Sequence, residues 1–266
     1  MFKRRIALSA LLLLSGTSVI HTAMGQDLDI VKEVLGAKIR GAIGERQVFQ
    51  FAGPEATRSP GGPRLYEQTV NGVVLIGTES GSIGGGGFVS QEGFVVTNWH
   101  VVEGERYVGV WLKYTTPSMA SLNRENVIIG EVSAIDQVRD LALIRLRSKG
   151  LVVKALDLAD FSQVKIGQDV FAIGHPKAYL WSYTEGVVSQ IRSKHSWRDK
   201  DGNRYQATLI QTQTPLSPGS SGAPLFDATG KVIGITSGVA PEAQNLNFAI
   251  AVNEIQDFLR QASRSR

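Results

Sequence analysis

Residues 218–224 read Pro218-Gly219-Ser220-Ser221-Gly222-Ala223-Pro224. Proline removes a backbone donor and glycine opens left-handed backbone angles, so small residues set around two serines form a turn rather than a helix. An apolar run, Ala223–Phe226, follows at once. Thr229-Gly230 then supplies a hairpin signal, and Val232–Ser237 is a second apolar run. Turn, short strand, hairpin and strand together are all-β chemistry.

The same punctuation runs back to Tyr66. Apolar runs stand at Val70–Thr78, Gly87–Val89, Phe94–Thr97, Tyr107–Tyr114, Val127–Ile135, Leu141–Leu146, Val170–Ile173, Gly186–Ile191 and Ala207–Thr212. Phe248–Val252 closes the series, and Asp201-Gly202 marks another hairpin. About a dozen short strands at this spacing predict a closed barrel or a sandwich, with two barrels favoured by length. One helix ends the chain. Asn253 is its expected N-cap, and Ile255, Phe258, Leu259 and Ala262 share a face.

Composition narrows the chemistry. The chain has 266 residues and a formal charge of +4, with 42% apolar residues, 29 glycines and no cysteine. Global disorder, disulfides, thiolate nucleophiles and cysteine-bound metals are thereby excluded. Lys3, Arg4 and Arg5 precede an apolar run, Ile6–Leu14, and Ala23-Met24-Gly25 is a small-x-small site. Residues 1–25 are read as an export signal cut before Gln26. The run is short for a bilayer span, and Arg4-Arg5 leaves twin-arginine export open beside the general route. Its removal lowers the formal charge from +4 to +1, so the basic balance is no argument for nucleic-acid binding. Residues 26–63 form an N-terminal extension. Leu28, Val31, Leu35, Ile39 and Ile43 recur at helical spacing, and Ala52–Pro63 is a Gly/Pro-rich linker.

Three segments carry chemistry. Thr97–Val102 contains His100, Asp140–Ile144 opens with Asp140, and the turn above holds Ser220 and Ser221. Alone, each has a plain structural reading: a core histidine, a strand-opening cap, a turn. Together they match a need. A serine hydroxyl requires a base, imidazole titrates near neutrality, and the base requires an acid that holds its tautomer. The separations, 40 and 81 residues, suit two residues in a first barrel and one in a second. Acyl transfer also needs aimed N–H donors, and the backbone N–H groups of Gly219 and Ser221 are the candidates.

This constellation resembles the trypsin-like serine proteases, and more closely the high-temperature-requirement A (HtrA, or Deg) family, over about seven-tenths of the chain. Thr97–Val102 and Asp140–Ile144 resemble the family's histidine and aspartate motifs. Phe171-Ala172-Ile173-Gly174-His175-Pro176 is similar to its Ala-Ile-Gly-Asn-Pro segment, and Glu185–Ser189 to its Ser-Gly-Ile-Val-Ser strand. Gln211–Pro224 resembles the stretch ending in Gly-Asn-Ser-Gly-Gly-Pro, and Phe248-Ala249-Ile250 the closing strand. The departures are Trp99 for a polar residue, His175 for asparagine, Ser220 for asparagine and Ala223 for glycine.

The resemblance implies two antiparallel six-stranded β-barrels in a protease domain over 64–252, divided near 150, with a C-terminal helix at 253–266. It places the nucleophile at Ser221, the base at His100 and the orienting acid at Asp140. It sets Pro215 at the base of the primary pocket with Leu216 beside it. Thr236, Ser237, Gly238 and Val239 form the wall that pairs with substrate backbone. With no carboxylate at the base, small or aliphatic P1 side chains are expected. Only 14 residues follow Val252, so a stand-alone protease domain without an appended peptide-binding domain is expected.

The resulting expectation is an exported serine endopeptidase, periplasmic or secreted, acting on unfolded or misfolded polypeptides without metal or cofactor. The alternatives are a chaperone-like or binding protein on the same fold, with weak or latent proteolysis, and a processing protease with one substrate. No membrane segment remains after signal removal. The resemblance allows a trimer and a separate regulatory partner. Gly84–Gly87 is read as a tight turn that lets strands approach, and Lys194–Lys200, with His195 and Trp197, as the solvated end of a hairpin.

Overall fold

The computed structural model describes residues 61–116, 122, 125–148, 150–199, 202–239 and 246–264. The expected signal and the 28–43 helix lie outside those residues, as does the linker up to residue 60. Gly62 and Pro63 belong instead to α1 (Gly62–Thr69). The chain is therefore helical where the linker was expected to end and the β pattern to begin. Pro63 suits this place, since the first turn has no use for its missing N–H. Leu65 and Tyr66 from α1 pack onto the core between the barrels.

Six strands close the first barrel: β1 (Val73–Gly77), β2 (Ile83–Phe88), β3 (Phe94–Thr97), β4 (Tyr107–Leu112), β5 (Ile128–Asp136) and β6 (Leu141–Leu146), in the order β1-β2-β3-β6-β5-β4. Six more close the second: β7 (Asp169–Gly174), β8 (Ser182–Arg198), β9 (Arg204–Thr212), β10 (Pro224–Asp227), β11 (Val232–Val239) and β12 (Asn247–Ala251), in the order β10-β11-β12-β9-β8-β7. Every named pairing is antiparallel. Closure leaves no free sheet edge, which is why such short strands persist.

Strand β1 shows why its sequence is apolar without alternation. Side chains of a strand point to opposite faces in turn. Val74 and Ile76 fill the first barrel with Phe88, Val95 and Ile144. Val73 and Leu75 face the other way, into a layer shared with Phe171, Phe226 and Ile250 of the second barrel. Both faces are buried, so both are apolar. In that layer Phe171 and Phe226 stack at 4.9 Å between ring centroids.

Two local expectations are corrected. Residues 84–87 are not a turn but the middle of β2. Four glycines tolerate a strand here because the second barrel lies directly against it: a Cβ on Gly85 would meet Ala223 at 2.9 Å, and one on Gly87 would meet Pro224 at 2.7 Å. Asn253 is not an N-cap. It lies inside α3 (Val252–Arg264), and its Oδ1 has no hydrogen-bond partner. The helix is secured elsewhere. Ile255, Phe258 and Ala262 are buried, and Glu254 accepts from Arg139 Nε (2.9 Å) and Thr208 N (2.9 Å). Arg139 also bonds Asp136, so α3 braces the turn that presents Asp140.

Hairpin chemistry follows expectation. Gly202 (φ 86°) and Gly230 (φ 83°) take left-handed angles between β8 and β9 and between β10 and β11. The β8–β9 hairpin is longer than the apolar runs implied. Its outer end is held by Trp197 stacked on Tyr205 at 5.2 Å and by Gln206 N donating to Val138 O at 2.8 Å. Among the described residues, no helix is long and apolar enough to cross a membrane.

Candidate active site

His100 sits in a one-turn helix, α2 (Trp99–Val102), that leaves the end of β3. The N-cap Asn98 makes no side-chain cap, so the first backbone donors need other partners. Asp140 supplies them. Its Oδ1 accepts from His100 N at 3.0 Å, and its carbonyl accepts from Trp99 N (3.2 Å) and Asn98 Nδ2 (3.0 Å). Asp140 adopts φ 57°, a left-handed angle that aspartate tolerates better than most residues.

The same carboxylate holds the imidazole. His100 Nδ1 lies 2.8 Å from Asp140 Oδ2 and 3.0 Å from Oδ1. A carboxylate only accepts, so Nδ1 carries the proton and Nε2 is the ring's acceptor nitrogen. Asp140 is 1% exposed, whereas the His100 side chain is 31% exposed. One side of the pair is dry and the other open. Desolvation lowers the His100 pKa, but the bond and charge of Asp140 outweigh it, and the net shift is upward from 6.5. Asp199 and Glu103 add to that rise.

Ser237 was expected in the substrate wall, a role of its backbone; its hydroxyl donates to Asp140 Oδ2 at 2.7 Å. The register of β11 against β12 slips between Thr236 and Gly238, and a bulge of this kind re-aims a side chain. Thr236 is fully buried and donates to Ser220 O (2.6 Å) and Ala223 O (3.0 Å), which clamps the serine turn. A Cβ on Gly238 would meet open space, and Val239 pairs with Asn247 at the end of β11.

The serine turn is a type II β-turn. Ser220 N donates to Ser217 O at 2.8 Å, with Pro218 and Gly219 (φ 93°) at its centre. Ser220 is 4% exposed, and its Oγ accepts from Ser217 N at 3.3 Å. Ser221 is half-buried, and its carbonyl accepts from Gly85 N of the first barrel at 2.7 Å. The two serines thus differ in surroundings: one hydroxyl is turned into its own loop, and the other residue lies at the barrel junction. A Cβ on Gly84 would meet both Val101, beside His100, and Ser221 O, at 2.7 and 2.9 Å. Among the described residues, no hydrogen bond joins Ser221 Oγ to His100, and neither Gly219 N nor Ser221 N donates to another group.

Two departures from the family pattern have a structural answer. Gly222 (φ 83°) lies so close to Gly85 O and Thr97 Oγ1 that a Cβ would meet both at 2.2 Å. Its neighbour Ala223 is fully buried, and its Cβ occupies space left by Gly85 and Gly174. Trp99 is buried and packs its ring 6.2 Å from that of Tyr205 on the β8–β9 hairpin. Of the expected pocket floor, Pro215 is exposed, while Leu216 is half-buried against the second barrel's interior. Asn247, which sequence reasoning did not single out, donates from Nδ2 to Thr214 O at 2.8 Å and fixes the segment that leaves β9 toward Pro215. Among the described residues, no cluster of metal-ligating side chains occurs.

A double antiparallel barrel with a His–Asp pair on one half and a glycine-bounded serine turn on the other defines the serine-type endopeptidases of this architecture. The trypsin-like peptidase domain matches residues 84–235, and the chain belongs to that family. Its relatives are of the HtrA/DegP kind. It is 33% identical over 218 residues, 82% of this chain and 45% of the other, to a Synechocystis sp. protein named as serine protease HhoB. It is 33% identical over 186 residues, 69% of this chain and 35% of the other, to a Halomonas elongata protein named as a DegP-like periplasmic serine endoprotease. The chain spans less than half the length of these relatives. Its fold is similar to that of the Rv3671c protease of M. tuberculosis, solved in an inactive form, with a TM-score of 0.62, 23% identity, and coverage of 79% of this chain and 98% of the other.

Proposed function

We propose that this chain is an exported endopeptidase that cleaves unfolded polypeptides through a Ser221 acyl-enzyme. The observation that carries the reading is the His100–Asp140 pair. A buried carboxylate fixes the Nδ1–H tautomer while the other edge of the ring stays open. Ser221 Oγ attacks the scissile carbonyl carbon as its proton passes to His100 Nε2. Asp140 stabilises the imidazolium. The negative charge moves to the carbonyl oxygen, where the N–H groups of Gly219 and Ser221 bind it. The carbon–nitrogen bond then breaks, and the leaving amine takes the proton from His100. A water gives its proton to His100 and attacks the ester, and Ser221 regains its hydrogen as the acid product leaves. The Ser221–His100 contact that this mechanism needs is one that commonly tightens only in the complex with substrate.

Substrate choice follows from what lines the approach. Neither Pro215 nor Leu216 can pair with a cation, so small or medium aliphatic P1 residues such as Val, Ala and Ile are favoured over Lys and Arg. The N-terminal segment 1–25 supports export, as do relatives named as periplasmic enzymes.

The test is cleavage of unfolded casein by the chain from Gln26, beside Ser221→Ala and Ser220→Ala, with fluorophosphonate labelling mapped by mass spectrometry. Casein loss and a label on Ser221, both absent from Ser221→Ala and present in Ser220→Ala, are expected. A dead Ser220→Ala with an active Ser221→Ala would reverse the register. Many cuts in casein favour quality control over single-substrate processing.

A further inference from the structure

His175 is fully buried. It follows β7 and precedes the connection to β8. Its Nε2 lies 3.1 Å from Val74 O of the first barrel, and its Nδ1 lies 3.1 Å from Trp181 N at the far end of that connection. A carbonyl only accepts and an amide N–H only donates. The ring is therefore held as the neutral tautomer with hydrogen on Nε2. Burial favours the same neutral form. The Trp181 ring stands edge-on to it, 5.1 Å away.

The segment between those bonds is strained. Lys177 (φ 49°), Ala178 (φ 66°) and Trp181 (φ 51°) all take left-handed angles without being glycine. Such angles cost energy and persist only where the surroundings enforce them. One product of this conformation bears on the serine turn. Lys177 N donates to Pro218 O at 2.7 Å. In a trans peptide the carbonyl and the next N–H point in opposite directions. Holding the Pro218 carbonyl on Lys177 therefore sets the direction of Gly219 N–H, an oxyanion donor. A rotation of that peptide would break the Lys177 bond. The turn and the segment also touch: a Cβ on Gly219 would meet His175 O at 2.4 Å.

We infer that His175 is a positioning residue for the oxyanion donor: its ring ties Trp181 to the first barrel, holds the 177–181 segment in its strained form, and so keeps Lys177 N–H on the Pro218 carbonyl. This role rests on the peptidase reading above. His175 touches neither substrate nor reacting atoms. It acts through the direction of one peptide plane.

Two substitutions separate this role from packing. Asparagine places an amide oxygen near the position of Nδ1, so His175→Asn can still accept from Trp181 N while leaving a void. His175→Phe fills the site with a somewhat larger ring and loses both bonds. Each is compared with wild type for melting temperature, for kcat and KM on fluorescein-labelled casein at pH 8, and for the rate of fluorophosphonate labelling. His175→Phe is expected to lose at least about 10-fold in kcat and labelling rate, with KM within about 3-fold, as for an interaction made in the transition state. His175→Asn is expected to stay within about 3-fold of wild-type kcat even though it melts earlier. Wild-type kcat in His175→Phe, or kcat falling in both variants in step with melting temperature, overturns the positioning role alone. A wild-type chain that neither cuts casein nor takes the label overturns the peptidase reading and this role with it.

Discussion

Ser237 Oγ donates to Asp140 Oδ2 at 2.7 Å, and this bond crosses from β11 of the second barrel to the turn before β6 of the first. It joins the two halves at the carboxylate that holds the His100 ring. With His100 Nδ1 and His100 N, it gives Asp140 three donors.

Ser237→Ala removes one of those donors and leaves the others. A hydrogen bond to a charged group contributes about 1.5–3 kcal/mol. A loss of roughly 10- to 100-fold in kcat/KM is expected, together with a lower melting temperature, because the accepting carboxylate of Asp140 is buried. Steady-state kinetics on a peptide substrate checks this. Unchanged kinetics would mean that Asp140 needs no support from the second barrel.

Asp140→Asn should be far more damaging. An amide offers one acceptor oxygen; kept at the Oδ1 position to accept from His100 N, it leaves its NH2 at the Oδ2 position, facing His100 Nδ1. The imidazole then favours the wrong tautomer, an effect worth about 10⁴-fold in kcat in enzymes with this triad. The measurement is kcat at pH 8, with circular dichroism to show that the fold survives.

The pH profile follows from His100. Activity requires the neutral ring, and Asp140 raises its pKa above 6.5 against the pull of desolvation. The acid limb of kcat/KM should therefore have its midpoint above 6.5, with activity rising as pH climbs through it. For stability the sign is opposite. A raised folded pKa contributes stability that is complete below about 6.5 and lost as pH rises through the folded value. Proton NMR titration of the His100 ring locates that value directly. A midpoint at or below 6.5 would remove the carboxylate from the account.

His175 works in the other direction. Desolvation lowers its pKa to about 4, although the Val74 bond favours the charged form. The unfolded chain binds this proton near pH 6.5 and the folded chain near pH 4, so stability is lost as pH falls across that window. The full effect is roughly 3 kcal/mol at about 1.4 kcal/mol per pKa unit. Urea unfolding at pH 7 and pH 4.5 should show it, and His175→Phe should lose most of the slope that wild type shows there. Equal slopes in the two proteins would contradict a buried neutral ring.

Gly85→Ala tests the seam between the barrels. The new Cβ would meet Ala223 Cα and Cβ at 2.9 Å, and overpacking of this kind costs about 1–3 kcal/mol. Adding Ala223→Gly should recover part of the loss, since it removes one of the two close atoms. A double-mutant cycle without coupling would show that the contact is relieved by other movement.

Much of this protein is legible from local pattern. Strands announce themselves through apolar runs, and hairpins through Thr229-Gly230 and Asp201-Gly202, because strand and turn preferences act over a few neighbouring residues. The types of residue needed for acyl transfer are legible for the same reason: His100, Asp140 and the Ser220-Ser221 turn carry recognisable chemistry in short segments. Local pattern fails where the neighbour is remote. Gly84–Gly87 has the composition of a turn, yet it is a strand: a Cβ on Gly85 or Gly87 would meet the second barrel, and one on Gly86 would meet Val74, Ile76 and Val95 inside the first. Ser237 has the position of a wall residue, yet its hydroxyl reaches a carboxylate 97 residues away in sequence. His175 looks like a substitution for asparagine, but its ring spans 101 residues to Val74 O. Hydrogen-bond partners and close contacts across the barrels depend on how two closed sheets meet. That meeting is set by burial of the shared apolar layer, which no spacing along the chain encodes.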